Sequence, residues 1–268
     1  TMPSDRHCPT TRSIMKRNKL ALWGIRLLSV AFWLTLWEIL AVAVDLPFAV
    51  PHVADTFSAL FSLLVTSAFW GTVAHSLLRI LLGLALGIVL AVLLALLSFI
   101  SRFFSEMLRP AMTFIRSTPV ASFILILWVI VGRNTVPAAI AVLMVLPVVY
   151  QNVLAGMRSL DRKQAEVLQV FHVPTNKRFR VFVLPALSEY FFPALITSAG
   201  LAWKAGIAAE IIAYTKNSIG RAICDAKNDF RGADMFAWTL CVILLSLLIE
   251  TFLQYVGKKV RRRGSVSS

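Results

Sequence analysis

Long apolar runs separated by short polar segments dominate the pattern of this chain. The runs cover 22–44, 73–100, 111–131, 136–154, 187–212 and 235–256, each close to the ~20 helical residues that cross a bilayer core. They predict an all-α, polytopic membrane protein of about six transmembrane helices, since only structures that satisfy their own backbone polar groups persist in lipid. The first run follows Lys16, Arg17 and Lys19, as the apolar part of a secretory leader would. It is longer than such a part, so a retained helix is expected. In the segment 45–70, Pro47 and Pro51 precede Phe57, Leu60, Phe61 and Leu64 at helical spacing, which suggests an amphipathic turn at the interface.

Composition agrees with a lipid solvent. Hydrophobic residues make up 58% of the 268 positions, charged ones 15%, and the mean hydropathy is +0.78. A soluble domain needs roughly a quarter of its residues charged. The net charge of +14 would suggest nucleic acid in a soluble protein. Here the basic residues flank apolar runs, and none interleave with aromatics on a polar background, so nucleic-acid binding is not expected. Cys8, Cys224 and Cys241 are far apart, and His7, His52, His75 and His172 form no metal-holding pair.

Charge also sets the orientation, because Lys and Arg stay preferentially on the cytoplasmic side. Both tails are basic, as are the segments after the second and fourth runs; the opposite side carries only Arg133, Lys216, Arg221, Lys227 and Arg231. Both termini are therefore expected in the cytoplasm. The implied division is a basic N-terminal tail 1–21, a transmembrane domain 22–256 and a basic C-terminal tail 257–268.

The inner loop at about 158–185 is long and holds an amphipathic stretch, in which Leu160, Ala165, Leu168 and Phe171 alternate with charged and amide side chains. Glu166-Val-Leu-Gln-Val-Phe-His172 is followed, after nine residues, by Phe182-Val-Leu184-Pro185. This resembles the cytoplasmic "EAA" loop of ABC-type importer permeases, Glu-Ala-Ala-xxx-Gly then Ile-x-Leu-Pro. Ser76-Leu-Leu-Arg79 leading into Gly83 and Gly87, Arg116-Ser-Thr-Pro119, Ala209-Glu210 and Asn217-Ser-Ile-Gly220 are similar to the nitrate, sulfonate and taurine branch of that family. The chain departs from the pattern at Val167 and Leu168, which replace the alanines, and at His172, which replaces the loop glycine.

The resemblance implies a type I ABC importer-like permease fold in the cytoplasmic membrane. It also implies a second permease copy, making a homodimer, with cytoplasmic ABC ATPase subunits and an extracytoplasmic solute-binding protein as partners. Coupling to the ATPase would fall to Ala165, Glu166, Val167, Leu168, Phe171, His172, Leu184 and Pro185: a short surface helix seated in the motor's cleft passes its closure on as a rigid push. The sequence has no Gly-xxxx-Gly-Lys-Ser/Thr phosphate loop. No cofactor is expected on this chain; ATP and magnesium would sit on the partner, and the chain would not itself be an enzyme.

Inside the membrane, Ser198, Ala202, Gly206 and Glu210 recur every fourth position, and Gly83 and Gly87 follow Arg79 in the second run. Small residues so spaced admit a close helix, either within one bundle or at a dimer seam beside the translocation path. Buried charges need partners or water. Arg79, Arg116 and Glu210 lie where snorkelling or internal pairing accounts for them; Lys204 does not, and is expected to face the path or to pair with Glu38. A positive path suits a small anion such as a sulfonate, taurine or nitrate; a vitamin-like precursor is the other solute class. The alternative, an ion-driven secondary transporter, calls for two related halves and paired intramembrane carboxylates, and the runs show no such repeat.

Overall fold

The computed structural model describes residues 11–160 and 184–265, with side chains over 24–160 and 187–259. The described elements are helical: α1 (Thr11–Val44), α2 (Val53–Leu64), α3 (Ser67–Ile100), α4 (Arg102–Ser117), α5 (Val120–Val131), α6 (Val136–Arg158), α7 (Leu184–Ile212), α8 (Ile219–Asn228) and α9 (Gly232–Ser265). Five of them, α1, α3, α6, α7 and α9, are long and apolar enough to cross a bilayer. The amphipathic turn expected after Pro51 is the helix α2, with Leu60 buried and Phe61 exposed. The polar outer segment before the last span contains α8, and α9 continues as helix to Ser265, past the expected end of the span.

The run 111–131 is not one straight span. It belongs to α4 and α5, which meet at a bend of 105° around Thr118 and Pro119. Proline disfavours helical backbone at the residue before it, and Thr118 is extended at ψ 133°. α5 has 12 residues, about 18 Å of helix, roughly half a bilayer's worth.

At the centre stands α6, packed along its length by α3 and α7. Glycine makes the α3 approach possible: a Cβ on Gly83 would stand 2.4 Å from the Ala138 carbonyl oxygen and 2.8 Å from Ala141 Cβ. One turn on, a Cβ on Gly87 would lie 3.0 Å from Val145 Cβ. Ala141, Val145 and Val149 of α6 are fully enclosed there, a dense apolar seam of the sort that membrane helices use where lipid removes the hydrophobic drive. Polar side chains add cross-links: Tyr150 Oη donates to Ser98 Oγ at 2.9 Å, and Trp203 Nε1 donates to the Val242 carbonyl at 3.1 Å, tying α7 to α9.

α1 is attached differently. Its outer end is held by Trp37 Nε1, which donates to the Pro51 carbonyl at 3.1 Å, by the Trp37–Phe236 ring contact and by buried Ala41. Closer to its inner end Leu27, Leu28, Phe32 and Trp33 are exposed along the helix. Beside this attachment the carbonyls of Pro47 and Phe48 approach Gly232 so closely that a Cβ there would meet both at 2.5 Å.

Candidate functional site

The outer ends of α3, α7 and α8 converge on Glu210, which is completely buried. Ser76 Oγ donates to Glu210 Oε2 at 2.9 Å, Arg79 Nη1 to Oε1 at 3.3 Å, and the Gly220 amide to Oε2 at 3.2 Å. Ser76 Oγ in turn accepts the Ile219 amide at 2.9 Å. A lone carboxylate at this depth would be costly. Here a hydroxyl, a guanidinium and one backbone amide satisfy it, and that amide, like the one that holds Ser76, comes from the first turn of α8, where helical partners are missing. Gly220 is required by the geometry, since a Cβ would stand 2.4 Å from Glu210 Cβ.

The turn between α7 and α8 is tied down as well. Ser218 caps α8 by accepting the Arg221 amide at 3.1 Å. Tyr214 and Asn217 take left-handed backbone conformations, φ 50° and 47°. Thr215 Oγ1 donates to the Arg133 carbonyl at 2.8 Å, Asn134 Oδ1 accepts the Lys216 amide at 3.3 Å, and Arg79 Nη2 donates to the Lys216 carbonyl at 3.4 Å. Tyr214 donates its hydroxyl to Asp225 while Arg221 lies 4.8 Å over its ring. The bond to the Asp225 carboxylate pushes the Tyr214 phenol above its usual range. The result is a rigid outer cap.

The remaining sequence-predicted residues separate into two sets. Ser198, Ala202 and Gly206 are buried with Glu210; a Cβ on Gly206 would meet the Ile80 side chain at 2.7 Å, and Gly83 and Gly87 meet α6. In the single chain that whole stripe is occupied by internal packing. Lys204 lies on the other face of α7, in an exposed row with Pro193, Thr197, Leu201 and Ile211 and with half-buried Ala208. It is eight residues, about 12 Å, inside the outer end of α7. The expected pair between Lys204 and Glu38 is not formed: Glu38 Oε1 lies 2.8 Å from His52 Nδ1, and Oε2 accepts the Val53 amide at 3.0 Å, so the carboxylate caps α2 instead. Lys204 has no hydrogen-bond or ion-pair partner among the described residues.

Arg116 donates to Gln151 Oε1 at 2.5 Å, across from α4 to α6, so it pairs internally. Ala165, Glu166, Val167, Leu168, Phe171 and His172 lie outside the described residues. Leu184 and Pro185 open α7, and their side chains are likewise outside what is described. The polar knot on Glu210 was legible in the sequence only as separate charges, because Arg79 and Glu210 are 131 positions apart.

A helical bundle with several bilayer-length helices and a broken helix is the architecture of a multi-pass membrane protein. The model of the binding-protein-dependent transport system inner membrane component matches residues 83–262, and the chain belongs to that family. It is 29% identical over 196 residues to the bicarbonate transport system permease protein CmpB of Synechococcus elongatus, covering 72% of this chain and 70% of that one. A second CmpB, from a Synechocystis species, is 25% identical over 194 residues, 72% and 69% of the two chains. The nitrate import permease protein NrtB of Leptolyngbya laminosa is 26% identical over 157 residues, 58% and 56%. The chain is thus the permease component of an ABC importer, multi-pass in the membrane and not itself the catalytic subunit.

Proposed function

We propose that this permease carries a small inorganic or organic anion along the open face of α7, between two copies of the chain. The observation that supports this most directly is Lys204: a cation at membrane depth, exposed in the single chain and unpaired among the described residues. Such a group requires water, protein or a counter-charge, and a water-filled path between copies supplies the first. The names of the relatives, bicarbonate and nitrate permeases, agree in charge; aliphatic sulfonates are anions as well, and taurine presents the same sulfonate group on a zwitterion. Arg79, Gly83, Gly87, Ser198, Ala202, Gly206 and Glu210 then hold the shape of the wall from behind.

Energy comes from a separate ATPase that carries the ATP and magnesium, gripping the loop at 158–185 through Glu166, Val167, Leu168 and Phe171, with Ala165 and His172 shaping its turn and Leu184 and Pro185 closing it. The solute arrives on an extracytoplasmic binding protein, and the basic segments 1–21 and 257–268 flank the domain on the cytoplasmic side. The test is uptake by the reconstituted complex over nitrate, bicarbonate, taurine and an aliphatic sulfonate. Lys204→Ala is expected to lower uptake of the cognate anion at least tenfold, about 1.4 kcal/mol, with ATPase copurification intact. Unchanged uptake of every anion overturns the path assignment. Loss of the ATPase on replacing Glu166, Leu168 and Phe171 together by Ala is expected; its retention overturns the coupling assignment.

A further inference from the structure

A second charge at membrane depth, Glu250 of α9, stands beside the open face of α7. It lies nine residues before Lys259, about 13 Å along the helix from the inner end of that span. Its Oε1 comes within 3.1 Å of the place a Cβ on Gly200 would occupy, and it has no hydrogen-bond or ion-pair partner among the described residues. Gly200 and Lys204 are one helical turn apart on α7, a spacing at which side-chain origins stand about 5–6 Å from each other.

Cα–Cβ bonds in a helix tilt toward its N-terminus, so the Lys204 side chain leans back over the turn that holds Gly200. Gly200 has no side chain to fill that turn, and the Glu250 carboxylate borders the space left open. The flexible four-carbon stem of lysine lets the ammonium reach it by a change of rotamer alone.

We infer that Glu250 is the intramembrane counter-ion of Lys204: the ammonium rests on the Glu250 carboxylate across Gly200 and is released from it by an arriving anion. This rests on the reading of Lys204 as a path residue. The ion pair keeps both charges satisfied in an empty path, and it makes solute binding a competition in which the anion must displace a carboxylate. Glu250 is a positioning residue, since it acts through Lys204 and does not touch the solute.

Two measurements on the complete reconstituted importer separate the pair from the path. In the absence of solute, thermal unfolding of Lys204→Gln, Glu250→Gln and the double variant is expected to be non-additive, the double variant losing less than the sum of the singles. Additive losses overturn the pair whatever the path does. In uptake of the cognate anion, Glu250→Gln is expected to lower KM, by about tenfold if the ammonium spends nine-tenths of its time on Glu250, and to have no effect on KM in the Lys204→Gln background. An unchanged KM for Glu250→Gln, alongside a raised KM for Lys204→Gln, overturns the competition while leaving the path reading standing. An unchanged KM for Lys204→Gln removes the path reading and the competition with it, leaving the pair to the unfolding result. A merely structural Glu250 would shift stability without lowering KM.

Discussion

The face of α7 that carries Ser198, Ala202, Gly206 and Glu210 is closed by α3 and α6, whereas the face that carries Thr197, Leu201, Lys204 and Ile211 is open along the described chain. Each face holds one charge. Glu210 is met by a hydroxyl, a guanidinium and an amide within 3.3 Å, while Lys204 meets no partner among the described residues. The difference separates scaffold from work: a charge whose partners are built in cannot exchange them for a solute, and a charge without them can.

The strongest way to break this comparison is to remove the built-in charge. Glu210→Ala leaves the Arg79 guanidinium, the Ser76 hydroxyl and the first turn of α8 without their acceptor, an expected cost of about 3–5 kcal/mol. Thermal unfolding in detergent checks it. The same assay should find Lys204→Ala far less costly, about 1 kcal/mol, because only the exposed pair with Glu250 is lost, so equal destabilisation by both would show that the two faces are energetically alike. Next in size is Gly83→Val, which drives a branched side chain into the Ala138 backbone and should cost about 1–3 kcal/mol by overpacking. No loss there would mean that α3 and α6 do not meet as closely as described.

The smallest effect belongs to the cap. Because the bond to Asp225 raises the Tyr214 pKa, the clasp is fully present below the ordinary tyrosine value of about 10 and is lost as pH rises through the higher folded value. A difference titration between the parent and Tyr214→Phe should show that one phenol ionising above the ordinary range; ionisation at or below it would remove the clasp from the cap.

Much of this architecture was written locally. Apolar runs and basic flanks sufficed for the number and placing of most spans, because burial in lipid is a property of each segment by itself. Gly83 and Gly87 declared a close approach, though not to which helix. The break between α4 and α5 was hidden because the apolar run continues past Pro119, and nothing in apolarity distinguishes a straight span from a bent one. The pairings were hidden for another reason: Ser76, Arg79, Glu210 and Gly220 come together only through the bundle, and Glu38 turned to His52, 14 positions away, and not to Lys204. Glu250 lies inside the last apolar run, and only the packing of α9 on α7 brings it to Gly200.

The attachment of α1 has a consequence for how the chain is made. Its ring contact is to Phe236, and the loop that follows it fits against Gly232, both at the start of the last helix. A ribosome that has just delivered α1 to the bilayer has made only its local partners, Pro51, His52 and Val53, and the docking points at Gly232 and Phe236 come when nearly the whole polypeptide has emerged. The seating of α1 and its loop on the last helix is therefore among the last events of biogenesis, and a chain stalled before Gly232 would hold that helix through the start of α2 alone.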